Sequence, residues 1–181
     1  ITQREVLERT GLRINVENTP RTFDDGSRIN ENGEFVDANG NVLFQSAMYR
    51  NKRTDIKEFT QFVLDNPNNK KSYQTFITKN GISVDLPSDT IIHDDNRHQL
   101  TPQEWQEAIS ALNNIKVISN SARGGVYGTD SVLLRGETDN GKSYAFAIDI
   151  LPGRNMITTA FSGNANTIDN WIKEKARRPQ S

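Results

Sequence analysis

Residues 144–151 read YAFAIDIL, and the fold turns on these eight positions. Tyr144, Phe146, Ile148 and Ile150 fill every second place, with Ala145, Ala147 and Asp149 between them. That period of two is what a half-buried antiparallel strand requires. Upstream, Asp139-Asn140-Gly141 offers turn residues that join this strand to VLLRGET at 132–138. Downstream, LPGRN at 151–155 reads as a hairpin loop into MITTAF at 156–161, and IKVIS at 115–119 adds a further strand. Earlier still, YQTFIT at 73–78 and ISVDL at 82–86 flank Asn80-Gly81 and read as another hairpin.

Helical spacing appears on either side of these strands. In TDIKEFTQFVL at 54–64, Ile56, Phe59, Phe62 and Val63 share a face, Thr54 stands where a cap belongs and DNP stops the run. TPQE at 101–104 is a capping box, with Thr101 as cap, Pro102 at the first helical position and Glu104 reaching back. The helix behind it turns Trp105, Ile109 and Leu112 toward a core. A last helix starts near Thr167, carries Ile168, Trp171 and Ile172 inward, and runs out in KEKARR, a solvated cationic end that complements the helix dipole. The first 50 residues are dense in turn signals: REVLERTG at 4–11 suits a short helix, and Asn39-Gly40 and Asn32-Gly33 suit hairpin turns. The expectation is an α+β fold with a curved antiparallel sheet packed on helices, divided into an N-terminal hairpin-containing arm or subdomain at 1–80 and an α+β domain at 81–181.

The 181 residues suffice for a real core, and 34% hydrophobic with 25% charged residues describes a polar globular chain with a mean hydropathy of -0.71. No apolar run is long enough to span a membrane and no signal-peptide pattern is present. A chain that opens on Ile1 is expected to be a processed product or a piece of a longer one, with any targeting signal upstream. Lack of cysteine removes disulfides, thiolate nucleophiles and Cys-ligated zinc. A net charge of -1 argues against a general nucleic-acid coat, whose affinity grows with the number of phosphates neutralised. An enzyme gripping a few phosphates is still compatible with it.

IIHDDNRHQLTPQEW at 91–105 holds both histidines of the chain, His93 and His98, with Arg97 between them. On a helix, residues five apart point roughly 140° away from each other, unlike the one-turn spacing of a zinc-protease helix, so no metal and no cofactor is expected. A phosphate site is chemically better served, because a capped helix start, the Arg97 fork and an imidazole titrating near neutrality stand together. Arg123 and Tyr127 in SARGGVYGTD at 121–130, together with Lys142, are further candidates for holding phosphate. The bland reading is that HDDNRH is a polar loop of turn and cap formers, and that Thr158 and Thr159 are ordinary strand residues of which at most one faces a site.

The order VDLPSDTIIHDDNRHQLTPQEW, GVYGTDSVLL, KSYAFAIDIL and ITTAF resembles the phage-associated nucleases of the barnase, EndoU, colicin and RelE group over roughly residues 82–175. The resemblance implies helices on one face of the sheet and an RNA-cleaving site on the other, with His98, then His93, as the catalytic histidine and Thr159, or Thr158 after a one-residue slip, as the late hydroxyl. It implies a metal-independent endoribonuclease, the effector domain of a toxin or phage protein, which acts in a cytoplasm after delivery and is held in check by an immunity or antitoxin protein; the near-neutral charge departs from that pattern and favours a specific RNA such as a tRNA loop over bulk RNA. The competing expectation is a non-catalytic interaction module that offers its open sheet face to a protein. Convergence of His98, a basic residue and a strand threonine on one cleft distinguishes the two.

Overall fold

The computed structural model describes residues 21–22, 26, 28–29, 35–41, 49–50, 53, 55–68, 72–79, 82–92, 99–122, 130–151 and 154–176. The expected helix at 4–11, the Asn32-Gly33 turn, the turn residues Asn80, Gly81, Pro152 and Gly153, and the Arg-Arg end of the last helix lie outside these residues.

Strands β1 (Arg21–Thr22), β2 (Arg28–Ile29) and β3 (Phe35–Val36) form a small antiparallel sheet. Beyond β3, Asp37 accepts the backbone N–H groups of Asn39 and Asn41 at 2.9 and 2.8 Å, and Gly40 takes the positive φ of 89° that the Asn39-Gly40 turn signal anticipates.

β4 (Tyr49–Arg50), α1 (Ile56–Asp65) and β5 (Ser72–Ile77) follow as a strand, helix, strand unit whose strands run parallel. β6 (Ser83–Pro87) folds back antiparallel on β5, and α2 (Ser88–Ile91) and α3 (Pro102–Ala111) come next. A meander of β7 (Ile115–Asn120), β8 (Asp130–Glu137), β9 (Ser143–Leu151) and β10 (Arg154–Gly163) then leads to α4 (Ala165–Ala176). The seven strands from β4 onward lie in the order β4-β5-β6-β10-β9-β8-β7, so the meander joins the β5–β6 hairpin through a parallel β6–β10 contact. The architecture is the expected α+β class, and the sheet is mixed, with antiparallel pairing everywhere except β4–β5 and β6–β10. The division expected at 80/81 falls between β5 and β6, which pair in one sheet.

The alternation of YAFAIDIL places Tyr144, Phe146 and Ile148, all fully buried, against Phe59 and Val63 of α1 and Trp105, Ala108 and Ile109 of α3 in one core. Both predicted cores of α1 and α3 are therefore observed, with small shifts at the ends. The α1 cap is Asp55, whose carboxylate accepts the Glu58 N–H at 3.0 Å, while Thr54 lies outside the described residues. The α3 capping box is complete, with Thr101 Oγ1 accepting the Glu104 N–H and Glu104 Oε1 accepting the Thr101 N–H, each at 3.1 Å. The last helix begins at Ala165, two residues earlier than expected, because the Asn164 side chain already accepts the Asn166 N–H at 2.8 Å.

α4 corrects the expectation that the helices share one face. Leu133 and Ala145 point away from the first core and need cover, which Ile168 and Ile172 of α4 supply in a second cluster with half-buried Trp171 beside it. The sheet is thus covered by α1–α3 on one face and by α4 over β7–β9 on the other.

Candidate active site

Pro87 ends β6 in an extended conformation and starts the single turn of α2. That turn is pinned three ways: Ile91 is fully buried, Ser88 Oγ accepts the Ser72 N–H at 3.2 Å, and Thr90 Oγ1 donates to the Ile157 carbonyl of β10 at 2.7 Å. The histidine stretch leaves from here. His93, Arg97 and His98 lie outside the described residues, and the chain re-enters at Gln99, with Leu100 back in the core that also holds Ile91. The stretch therefore leaves and rejoins a single core, beginning beside β10 and ending at the capped start of α3.

On β10 the register against β9 slips between Ile157, paired with Ile148, and Thr159, paired with Ala147. The slip is a bulge, in which Thr158 and Thr159 together oppose Ala147. Its signature is in the core, where Ile157 and Ala160 both belong to the helix-facing cluster although strict alternation would set residues three apart on opposite faces. The expectation that at most one threonine faces a site rested on that strict alternation, and the bulge removes it. Both threonines are half-buried, and Thr158 Oγ1 donates to the Ala147 carbonyl at 3.2 Å. Thr90 thus grips the residue immediately before the bulge, and His93 follows Thr90 by three positions.

Lys142 goes elsewhere. Its ammonium lies 3.2 Å from Glu107 and 3.9 Å from Glu104, both on α3, and 5.2 Å from the Tyr144 ring centre. Thr159 is paired with Ala147, which packs with the α4 cluster on the opposite face of the sheet, so Lys142 and Thr159 do not converge. Two carboxylates already neutralise Lys142, which makes it a poor phosphate holder. Arg123 and Tyr127 lie outside the described residues. Among the described residues, no three His, Cys, Asp or Glu side chains gather as metal ligands would, and no helix is long and apolar enough to cross a membrane.

The Lys142 cluster is a strut between α3 and β9. Tyr144 donates its hydroxyl to Glu107 Oε2 at 2.7 Å. Burial, and secondarily the Glu107 carboxylate, push Tyr144 up to about 12, while the Tyr144 hydroxyl, then the Lys142 ammonium, hold Glu107 below its ordinary value. A raised tyrosine contributes stability that is complete below pH 10 and lost as pH climbs from there toward about 12; the depressed glutamate contributes stability that is lost as pH falls through its folded pKa. Phenolate absorbance is therefore expected to show a tyrosine titrating well above 10, and Glu107→Gln is expected to move it downward yet leave it above 10, since burial remains. Identical titrations of the two proteins would refute the strut.

Sequence reading missed three features of this region. Thr90 looks like any polar residue in SDTI, and its partner is 67 positions away. Asp85 and Asp149, which alternation assigns to an open face, are 2% and 1% exposed and stand on either side of Met156 in register, with Thr75 Oγ1 donating to Asp85 at 2.6 Å. Nothing local in the chain distinguishes a covered second face from a solvated one. No protein-family model matches this chain, and neither does any curated protein or solved structure.

Proposed function

We propose that the chain is a metal-independent endoribonuclease in which His98, backed by His93, moves the protons and the β10 bulge presents Thr159 and Thr158 to the phosphate. The observation that carries this reading is the Thr90–Ile157 hydrogen bond, which ties the root of the histidine stretch to the residue preceding Thr158. In the reaction a base takes the proton of the ribose 2'-OH and the 2'-oxygen attacks phosphorus. The bond to the 5'-oxygen breaks as an acid protonates it, leaving a 2',3'-cyclic phosphate and a free 5'-hydroxyl. Hydroxyl and guanidinium donors suit the crowded phosphorus centre, and Arg97 follows in the same stretch. A net charge of -1 favours a defined RNA target, such as a tRNA loop, over bulk digestion. A delivered effector of this kind calls for a neutralising immunity or antitoxin partner.

The test is incubation of wild type, His98→Ala and Thr159→Ala with tRNA and ribosomal RNA in EDTA, with end-group analysis. Cyclic-phosphate ends from wild type that vanish in His98→Ala and diminish in Thr159→Ala are expected. A folded wild type that leaves both RNAs intact would return the chain to the alternative, a non-catalytic interaction module.

A further inference from the structure

One flank of α1 and the start of α3 line an open groove of about 540 Å³. Phe62 and Pro102 line it, and the Arg53 guanidinium lies over the Phe62 ring at 3.9 Å from its centre. Pro102 is the first residue of α3, directly after the Gln99-Leu100-Thr101 segment that returns from the histidine stretch. The groove therefore opens beside the end of that stretch, whereas Thr90 and the bulge mark its beginning.

The charges along the groove are ordered. Arg53 and Lys57 stand at the N-terminal end of α1 and Asp65 at its last turn, eight residues and about 12 Å farther along the axis. Asp65 Oδ1 accepts the Gln61 side-chain amide at 2.9 Å, which fixes the carboxylate on the groove side. Asp55, the cap of α1, and Glu58, in the groove lining, are the acids at the cationic end. A flat guanidinium stacked on an aromatic ring is a platform for a nucleobase, cations at one end suit a phosphate, and a carboxylate at the other can accept from a base's amino edge.

We propose that this groove holds one nucleotide of single-stranded RNA, its phosphate at Lys57, its base against the Arg53–Phe62 pair and its donor edge toward Asp65. The choice of ligand rests on the ribonuclease reading, and the groove is the subsite for a nucleotide flanking the scissile bond. Glu58 opposes the phosphate and gives the proposal a signed test.

The experiment is an anisotropy titration of fluorescein-labelled five-nucleotide RNAs with the full chain at low salt, with cleavage of the same RNAs in EDTA followed in parallel. Lys57 and Glu58 are exposed, so their variants keep the fold. Lys57→Ala is expected to weaken binding about fivefold and Glu58→Gln to tighten it by a similar factor, the size of a single exposed charge interaction. Binding with these signs but no cleavage would uphold the groove and sink the nuclease. Cleavage with Kd and KM indifferent to both substitutions would uphold the nuclease and overturn the groove. No binding by wild type would overturn the groove outright.

Discussion

Gly136→Ala is expected to destabilise the protein by about 3 kcal/mol, the upper end of what overpacking costs. A Cβ on Gly136 would overlap the carbonyl oxygen of Ala111 and stand 2.7 Å from its carbonyl carbon. Those atoms are backbone in the last turn of α3, so no rotamer change relieves the overlap. Nor can the helix end retreat cheaply, because the Glu137 N–H donates to the Asn114 carbonyl at 3.0 Å and ties the following turn to the same strand. Fully buried Leu112 and Trp105, 2% exposed, would have to move with it. Urea unfolding is expected to show a lower midpoint with an unchanged slope. Adding Ala111→Gly removes only a Cβ at 3.2 Å and is expected not to rescue the variant, since the obstacle is the carbonyl. A rescue by that second change would show that α3 approaches β8 less closely than described.

The same contact explains why some parts of this fold are legible from sequence and others are not. Thr101, Pro102 and Glu104 specify a helix start within four residues, and every bond of the capping box is local. The alternation of Tyr144, Phe146 and Ile148 is equally self-contained, because a strand's two faces are fixed by geometry once the strand forms. Gly136, by contrast, looks like a lapse in VLLRGET and becomes intelligible only when α3 lies across it.

The site divides along the same line. The histidine stretch and the late threonines stand out as residue types, but what ties the two regions together is Thr90 meeting the Ile157 carbonyl just before a bulge, a tertiary event with no local trace. Lys142 illustrates the converse error. A lysine after a turn reads as available to a phosphate, yet Glu107 lies 3.2 Å from it once α3 is packed on the sheet. Asp149 sits at a position that alternation assigns to solvent and is buried because the second face is covered. Residue type suggests chemistry, while packing decides which groups are free to perform it.

Loss of the Arg135–Asp169 pair is the second large effect, expected to cost about 3 kcal/mol in Asp169→Ala, toward the lower end of the range for breaking a buried pair because Asp169 is 27% exposed. Arg135 rises from β8 on the α4 face, its side chain 10% exposed. Its Nε and Nη2 donate to the two carboxylate oxygens of Asp169 at 2.7 and 3.4 Å, and its Nη1 reaches Ser143 at 3.2 Å and Glu137 at 3.4 Å. Removing Asp169 leaves a desolvated guanidinium with only the two longer contacts on Nη1, of which Glu137 is the one remaining ion pair, and that loss of compensation is the main cost. Arg135→Met in the same chain removes the charge and keeps an apolar stem over Ala145 and Leu133, so the double variant is expected to recover most of the loss. Hydrogen exchange gives the structural readout. In Asp169→Ala the amides of α4 are expected to exchange faster and those of α3 to keep their protection, because α4 is held by its own small cluster and by the Ala122 N–H donating to the Lys175 carbonyl at 3.1 Å. An equal loss of protection in both helices would mean that the two faces of the sheet unfold as one unit.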